Sequence, residues 1–300
     1  MDYKKIFRSS TSRELILNAL RFVPSKFMLK LQYRIKTGRK LNLKNPERFS
    51  EKLQWYKLYY RNEDMHCCVD KYQVREYIKN KGLENILVEL YGYYTDIEQI
   101  DFNSLPEQFV IKTTNGGGGL NVAVVMDKKK FLESEDKTKL KAKRFLKNSG
   151  GREWAYYGLE PGIIAEELLI NTDNPKAGVN DYKIFCFNGK VECIVVDVER
   201  YIDHKRNFYD AQWNDLHITS DHECVDRDVP KPEHFEEMIK IAEKLSEDFP
   251  FVRVDLYNVG GKIYFGELTF YPWSGYVQYT PDSFDFELGK KFVLPPKAKK

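Results

Sequence analysis

The sequence predicts an α+β protein in which a helical N-terminal region precedes a β-rich remainder. Apolar residues recur at helical spacing through about residue 82, which is the first observation behind this prediction. After Leu105 short apolar runs alternate with glycine- and asparagine-containing turns, as in strands joined by loops. No internal repeat or low-complexity linker interrupts the 300 residues. We therefore expect lobes that pack against one another.

Composition excludes several classes of protein. Hydrophobic residues make up 42%, charged residues 31% and aromatic residues 14%, which is typical of a globular chain and not of a disordered one. No apolar run is long enough to cross a bilayer and the first residues lack a secretion signal, so we expect a cytoplasmic protein. The five cysteines are expected as free thiols. His217, His222 and Cys224 indicate a polar surface loop more strongly than a zinc site.

Positive charge is concentrated at the N-terminus. Residues 1–40 carry a net charge of +9, which leaves −6 on residues 41–300. A basic segment with interleaved Phe and Leu side chains suits the anionic inner face of a membrane. The alternative is a basic helix packed on the body of the protein. Our hypothesis is therefore that residues 1–40 make peripheral contact with a membrane. We expect no nucleic-acid partner.

Several helices are predicted in order. Within residues 1–40 the helical pattern is broken at Pro24. A second helix is expected over NPERFSEKLQWYKLYY, with Asn45 as its N-cap. A third, MHCCVDKYQVREYIKNKG, ends at Gly82. A basic helix is expected at about 130–148, and PEHFEEMIKIAEKLSED has a clear apolar stripe.

The strands are predicted from short apolar runs and turns. They are ILVELYGYY, QFVIKTT, NVAVVM, IIAEELL, DYKIFCF, VECIVVDVE, FVRVDLY and KIYFGELTF. Asn188-Gly189 is the strongest short hairpin signal. A two-residue loop there pairs Cys186 with Val191 and Cys193 with Ile184, which makes a Cys186–Cys193 disulfide unfavourable.

The last hairpin contains the strongest candidate site. Arg253 and Asp255 lie two apart on one strand and therefore share a face, and Glu267 and Thr269 repeat this spacing on the next strand. Asp255 and Glu267 share that face only if the loop has an odd length, so we expect a three-residue loop containing Gly260-Gly261. Two converging carboxylates suit Mg²⁺. A solvent-facing Arg–carboxylate pair is the alternative.

A glycine loop is the second candidate site. Gly116, Gly117, Gly118 and Gly119 follow a strand that contains Lys112. Their backbone N–H groups are free to wrap phosphate oxygens, and Lys112 adds a positive charge. No Gly-Lys-Ser/Thr follows, so this is not a Walker loop. A flexible hairpin loop is the alternative.

A third candidate is the stretch HKRNFYD. We expect His204, Lys205 and Arg206 in a loop after a strand, where they could receive an anionic sugar acid. A solvated basic turn explains the same residues equally well.

The order of these segments resembles the ATP-grasp fold. Within it, NPERFSEKLQWYKLYYRN, DKYQVREYI, FVIKTTNGGGG, REWAYYGLEPGIIAEELL, DYKIFCFNGK, RNFYD and FPFVRVDLYNVGGKIYFGELTF are similar to the TupA-like ATP-grasp family of polysaccharide biosynthesis. The resemblance covers roughly residues 40–290. It implies two β-rich lobes that clasp ATP.

The resemblance also implies site residues. The ATP phosphates would be held by Lys112, Gly116–Gly119 and Lys183. The adenine edge would be contacted by the backbone of Glu166, Glu167, Leu168 and Leu169. The ribose would be contacted by Asp173. Asp255 and Glu267 would bind Mg²⁺, and Arg253 would stabilise the transferred phosphoryl group. Many ATP-grasp enzymes carry an Asn two residues after the Glu. Here Thr269 occupies that position, which puts a third protein ligand in doubt.

These expectations define four segments and one leading function. The segments are a basic helical segment (1–45), an N-terminal helical or αβ lobe (46–104), an ATP-grasp small lobe with the glycine loop and hinge strand (105–170) and an ATP-grasp C-terminal lobe with the metal site (171–300). The leading function is an ADP-forming carboxylate–amine ligase acting on a uronic acid of a bacterial surface polysaccharide or its precursor. Alternatives are an ATP-grasp kinase of a sugar, a glycosyltransferase, and a non-enzymatic ATP-binding module.

Overall fold

Two antiparallel sheets and the helices around them form the architecture of this chain. The structure is a computed structural model, which describes residues 16–115, 121–134, 136, 140, 145–148, 150–171 and 174–298. The predicted α+β class is confirmed. No helix in the described ranges combines the length and the apolar character that a membrane crossing requires.

The first half of the chain supplies short helices and the smaller sheet. Its helices are α1 (Ser25–Thr37), α2 (Phe49–Tyr59), α3 (Asp64–Val69), α4 (Val74–Asn80) and α5 (Lys128–Glu133). Its strands are β1 (Leu90–Tyr94), β2 (Phe109–Thr113), β3 (Val122–Val125) and β4 (Ile163–Glu166), in the order β1-β4-β2-β3. The small sheet thus includes β1, which lies within the predicted strand ILVELYGYY. The predicted segment boundaries stay a prediction.

The second half supplies the larger sheet. Its strands are β5 (Asp181–Phe187), β6 (Lys190–Val198), β7 (Lys205–Tyr209), β8 (Phe251–Val259) and β9 (Lys262–Thr269), in the order β7-β6-β5-β8-β9. Its helices are α6 (Phe235–Ser246) and α7 (Ser283–Lys291). The apolar stripe of α6 is buried against β5, β6 and β8. The opposite face of this sheet is therefore the one available for a site.

Two helix boundaries differ from the prediction. The segment around DKYQVREYI forms two helices, α3 and α4, because the chain leaves the helical conformation at Asp70, whose carboxylate accepts hydrogen bonds from the N–H groups of Tyr72 and Gln73. Helix α2 begins at Phe49 and not next to Asn45. Two carboxylates serve its first turn: Glu51, within that turn, accepts from the N–H of Arg48, and Asp285 of α7 accepts from that of Ser50. The predicted helix at about 130–148 falls partly outside the described residues.

The Asn188-Gly189 hairpin is confirmed, with one change in register. Both turn residues have positive φ, 50° and 73°, as a two-residue turn that follows the strand twist requires. Cys186 pairs with Val191 as predicted, but a bulge then places Cys193 opposite Phe185 and not opposite Ile184. Both thiols are buried and free.

In the last hairpin Asp255 and Glu267 lie on one face as predicted, but the loop between the strands is not the predicted one. Its loop has two residues, Gly260-Gly261, so the predicted three-residue loop is wrong. The register is restored by a bulge, in which Asp255 pairs with Glu267 and Leu256 with Phe265, so that Gly266 is the extra residue. A Cβ at Gly266 would lie 3.0 Å from the carbonyl oxygen of Asp255. Glycine thus permits the bulge that brings the two carboxylates together.

Helix α7 packs against the start of α2 through a glycine. A Cβ built on Gly289 would lie 2.0 Å from the carbonyl oxygen of Glu47. In an exposed helix interior Gly→Ala stabilises by about 1 kcal/mol. At this position we expect Gly289→Ala to lower the free energy of unfolding by about 2 kcal/mol or more, because α7 must move away from α2. Urea unfolding measures the change.

The matched control is Glu287→Ala, which alters an exposed residue of the same helix. It should leave the free energy of unfolding within about 0.5 kcal/mol of the wild-type value. A stabilising Gly289→Ala would contradict the close contact between α7 and the residues before α2.

Candidate active site

A row of charged side chains crosses the five-stranded sheet on the face opposite α6. Strand pairing places Arg206 beside Asp197, Asp197 beside Asp181, Lys183 beside Asp255, and Asp255 beside Glu267. Side chains of directly paired residues project from the same face. Each of the five strands therefore contributes to one polar surface.

Lys183 is the central cation of this row. Its Nζ pairs with the carboxylate of Asp181 and lies 3.4 Å from Asp197 Oδ2 and 3.6 Å from Asp255 Oδ2. All four residues are buried. Like charges this close repel unless a cation lies among them. The ammonium group of Lys183 thus holds together three carboxylates from three strands.

Arg253 bridges the two carboxylates of the last hairpin. Its guanidinium donates to both carboxylate oxygens of Asp255, at 2.6 Å each, and to Oε1 of Glu267 at 3.0 Å. The hydroxyl of Thr269 donates to the same Glu267 oxygen at 2.9 Å. The structure thus brings Arg253, Asp255 and Glu267 together. Thr269 orients Glu267.

The electrostatics of the two carboxylates differ. Burial, together with the charges of Asp181 and Glu267, raises the pKa of Asp255 to about 7 in spite of Arg253 and Lys183. Burial alone would also raise the pKa of Glu267, but the charges of Lys71, Arg253 and Lys183 lower it to about 2. Burial therefore outweighs the two neighbouring cations at Asp255, whereas at Glu267 the cations outweigh burial.

The carboxylates of Asp255 and Glu267, on directly paired strand positions, test the fit to a metal ion. Asp255 and Glu267 offer carboxylate oxygens, which hard divalent cations prefer, and a cation beside Asp255 would favour its ionised form. No group of three His, Cys, Asp or Glu side chains in the described ranges could hold a metal ion by itself. The residues fit a Mg²⁺ ion that takes two protein ligands and completes its shell with phosphate oxygens and water.

A small basic pocket lies between the two sheets. Lys112 and Glu166 come from the four-stranded sheet, Phe265 and Gly266 come from β9, and Lys71 and Arg75 come from the helical region. The Nζ of Lys112 pairs with Oε1 of Glu166. Gly266 directly precedes Glu267 in the chain, and the charge of Lys71, which also lines the pocket, lowers the pKa of Glu267. Two residues predicted to contact nucleotide, Lys112 and Glu166, therefore line a pocket whose β9 wall is next in sequence to a predicted metal ligand.

The remaining residues predicted to bind nucleotide are placed as follows. Strand β4 ends at Glu166, and the N–H of Glu167 donates to the carbonyl of Glu89 at 2.9 Å. Leu168 and Leu169 continue the chain as half-buried residues outside any strand. Gly116, Gly117, Gly118 and Gly119, and also Asp173, lie outside the described residues.

The prediction of a loop around Arg206 is wrong. Arg206 lies in β7, is buried, and donates to Asp197 Oδ1 at 2.6 Å and Oδ2 at 3.1 Å and also to Asp221. The strand pattern extends across this segment because Asn207, Phe208 and Tyr209 pair with β6. Arg206 is thus part of the charged row.

Trp273 is a site residue that sequence reasoning missed. Its ring lies 4.7 Å from the guanidinium carbon of Arg206 and 5.4 Å from that of Arg253, and it stacks on Phe185. Trp273 and Ser274 have positive φ, 46° and 57°. Lys71, Arg75, Asp181 and Asp197 were missed as well. Lys71, Arg75 and Asp181 lie within the segments that carry the family resemblance, but no local signal assigns any of the four residues a role, because contacts between distant segments bring them together.

Comparisons with known proteins identify the family of this chain. The family model described as TupA-like ATPgrasp matches residues 51–293, so the chain belongs to the TupA-like ATP-grasp family, as predicted. A search of curated proteins gives no match.

Among solved structures the chain is similar to D-alanine–D-alanine ligase from Bacillus anthracis, with 17% identity, a TM-score of 0.42, and coverage of 68% of this chain and 57% of the ligase. It is also similar to L-amino acid ligase from Bacillus licheniformis, with 14% identity, a TM-score of 0.46, and coverage of 79% and 52%. The chain thus spans somewhat more than half the length of these ligases.

The Asp197–Arg206 pair generates a prediction about stability. Arg206 and Lys183 hold the pKa of Asp197 well below its usual range although burial opposes this. Arg206→Met should lower the free energy of unfolding at pH 7 by about 3 kcal/mol, because the Asp197 carboxylate stays buried without its main partner. A carboxyl with a depressed pKa contributes stability above its unfolded pKa and loses it as the pH falls. The loss caused by Arg206→Met should therefore be smaller at pH 4 than at pH 7.

Lys205→Met is the matched control. Lys205 neighbours Arg206 but pairs with Asp203 and Glu223 at the surface. Its loss should have a much smaller effect on the free energy of unfolding than the loss of Arg206, because water screens the ion pairs of Lys205. Adding Asp197→Asn to Arg206→Met should recover part of the stability. Equal effects of the two single variants in urea unfolding would contradict the buried pair.

Proposed function

We propose that this member of the TupA-like ATP-grasp family is an ADP-forming carboxylate–amine ligase. The carboxylate we propose is a uronic acid of a bacterial surface polysaccharide, such as a capsule, or of its precursor. One observation carries the proposal: Glu267, which forms a charged cluster with Arg253 and Asp255, directly follows Gly266, and Gly266 lines the pocket that contains Lys112 and Glu166. Phosphoryl transfer needs cations around the transferred group and a site beside it for the acceptor.

ATP is the first substrate in this proposal. Lys112, with Lys71 and Arg75 around the same pocket, would offset the charge of its phosphates. Gly116–Gly119 would supply backbone N–H groups, the Glu166–Leu169 segment would contact the adenine edge, and Asp173 would contact the ribose. Binding of ATP would release Lys112 from Glu166, because a phosphate oxygen and the Glu166 carboxylate would compete for the same ammonium group.

Asp255 and Glu267 would hold Mg²⁺, which supplies positive charge to the phosphate oxygens in the transfer step. Thr269 keeps Glu267 oriented, and Lys183 keeps Asp255 close to Asp181 and Asp197. Arg253 would exchange part of its contact with the carboxylates for contact with the transferred phosphoryl group. Its rigid planar guanidinium suits phosphate oxygens as well as carboxylates.

The acceptor carboxylate would enter beside Trp273, whose ring packs between Arg206 and Arg253. A carboxylate oxygen attacks the γ-phosphorus of ATP, the bond to the β,γ-bridging oxygen breaks, and ADP leaves. An amine then attacks the carbonyl carbon of the acyl phosphate and loses a proton, and inorganic phosphate departs with the bonding electrons. No side-chain nucleophile is needed, because the leaving group is already activated.

The proposal also locates the reaction. A cytoplasmic enzyme acting on an envelope precursor would meet nucleotide-linked or lipid-linked sugar acids. Peripheral contact with an anionic membrane through residues 1–40 would bring it close to the lipid-linked ones.

The carboxylate pair generates the first functional prediction. Asp255→Asn and Glu267→Gln should each lower Mg-dependent ATP turnover by about 10²–10³-fold, because each removes one proposed metal ligand and its charge. Nucleotide binding, followed with a fluorescent ATP analogue, should persist because the residues that line the basic pocket around Lys112 and Glu166 are unchanged. ADP release measures turnover.

Glu287→Gln serves as the control, since it neutralises an exposed carboxylate on α7. It should retain wild-type turnover. Undiminished turnover in both Asp255→Asn and Glu267→Gln would refute the assignment of the metal site.

The choice between a ligase and a sugar kinase depends on the product. We expect ADP release that requires both a sugar acid and an amine, together with one inorganic phosphate for each ADP. An ADP-release screen of amino acids and amino alcohols against free and nucleotide-linked uronic acids tests this, with neutral sugars as the control. Amine-independent formation of a stable phosphosugar would establish the kinase instead.

A further inference from the structure

Helix α1 exposes a line of large apolar side chains. Phe27, Leu31 and Ile35 are 61%, 42% and 49% exposed, and they recur every four residues, so they form a stripe about 12 Å long on one side of the helix. The other side of α1 is buried through Met28, Leu29 and Tyr33. The helix is therefore anchored to the protein while three apolar side chains face outward. Aligned exposed apolar residues commonly mark an interaction surface.

A basic pocket adjoins this stripe. The pocket has a volume of about 670 Å³, and its cationic lining residues are Lys26, Lys30, Lys40, Lys44 and Lys297. Tyr59 lies at its base, with the ammonium group of Lys297 4.5 Å from the ring centre. We call this site the lysine pocket. No acidic residue of the part of the chain that the structure describes lines it.

The ammonium groups of the lysine pocket differ from the cations of the candidate active site. None of the five forms an ion pair with a carboxylate in the described ranges of the chain. By contrast, Lys183, Arg206 and Arg253 are each paired with carboxylates. Five clustered positive charges without internal counter-charge favour an anionic partner from outside the chain.

The stripe and the pocket belong to one surface. Lys26 and Lys30 line the pocket and adjoin Phe27 and Leu31 along the exposed side of α1. One part of this surface is thus apolar and the neighbouring part is cationic. A soluble polyanion would be matched by the lysines alone, and an apolar protein partner by the stripe alone. A bilayer with anionic headgroups matches both, because acyl chains lie directly beneath the phosphates.

We propose that α1 and the lysine pocket form a docking surface for an anionic phospholipid bilayer. Helix α1 lies in the plane of the interface, with Phe27, Leu31 and Ile35 inserted at the boundary of headgroups and acyl chains. The lysine pocket surrounds the lipid phosphates. This proposal does not rest on the ligase reaction. It extends the membrane contact expected for residues 1–40 by assigning it to specific side chains, including Lys44 and Lys297 beyond that segment.

Vesicle co-sedimentation of the full chain tests the surface. Binding to vesicles of equimolar phosphatidylcholine and phosphatidylserine should be strong at low salt and fall as salt rises, and binding to pure phosphatidylcholine should be weak. The double variant Lys30→Glu with Lys44→Glu should bind anionic vesicles at least tenfold more weakly, since each lysine contributes about fivefold. Lys240→Glu with Lys290→Glu makes the same change of charge on exposed lysines outside the pocket. This control should stay within about twofold of wild type.

A second pair of variants separates a bilayer from a soluble anion. Phe27→Ser with Leu31→Ser should weaken vesicle binding severalfold and leave binding to heparin, a soluble polyanion, unchanged. Circular dichroism and urea unfolding establish that each variant is folded. ATP turnover in solution should be the same in all of them, so a failure of this proposal is distinct from a failure of the proposed function.

Three outcomes would overturn the proposal. One is equal vesicle binding by wild type and the lysine variant. Another is unchanged vesicle binding by the serine variant, which would assign the pocket to soluble anions. The third is competition by inorganic phosphate that abolishes vesicle binding at an ionic strength where chloride does not.

Discussion

The ammonium group of Lys183, held among Asp181, Asp197 and Asp255, is the interaction on which the arrangement of the site depends. At an effective dielectric constant of about 20, two unit charges about 4 Å apart interact by about 4 kcal/mol, and removing each ion from water costs several kcal/mol. Neither contribution dominates, so the charges are tolerated on a buried sheet face only if each is paired. The row from Arg206 to Glu267 meets that condition across all five strands. Asp255 is the carboxylate of the last hairpin whose charged form burial disfavours, and an added cation beside it would favour that form.

One face of the large sheet packs in the apolar core, and the other face carries the charged residues of the candidate site. Val252, Val254 and Leu256 alternate with Arg253 and Asp255 along β8, and α6 covers the apolar face. The strand period of two therefore separates an apolar core from a charged surface within one nine-residue strand. Rigid core packing on one face restricts movement of the charged residues on the other.

Local sequence signals predicted much of this fold, and non-local pairing explains the rest. The α+β class, the Asn188-Gly189 hairpin and the amphipathic helix α6 follow from turn chemistry and periodicity, which act over a few residues. The spacing of Arg253 and Asp255 likewise places both on one face. The predicted loop length of the last hairpin was wrong because a bulge at Gly266 shifts the register. Such a bulge depends on how the two strands pair and not on the sequence of the loop. Similarly, Arg206 was assigned to a loop because its partners Asp197 and Asp221 lie 9 and 15 residues away along the chain.

Basic residues in a sequence predict a binding site only weakly for a related reason, because the role of a cation depends on the charges that surround it in the fold. Arg206 and Lys30 are both cations near aromatic residues, and nothing in their neighbouring residues separates their roles. The structure separates them by the carboxylates within reach. Arg206 is buried and its charge is balanced inside the protein, so it can orient neighbouring groups but cannot attract a distant ligand. Lys30 is exposed beside an apolar stripe and has no internal counter-charge, so its electrostatic field extends into solvent over about a Debye length. The balance of charge around each cation, more than the cation itself, therefore determines whether it organises a site or recruits a partner.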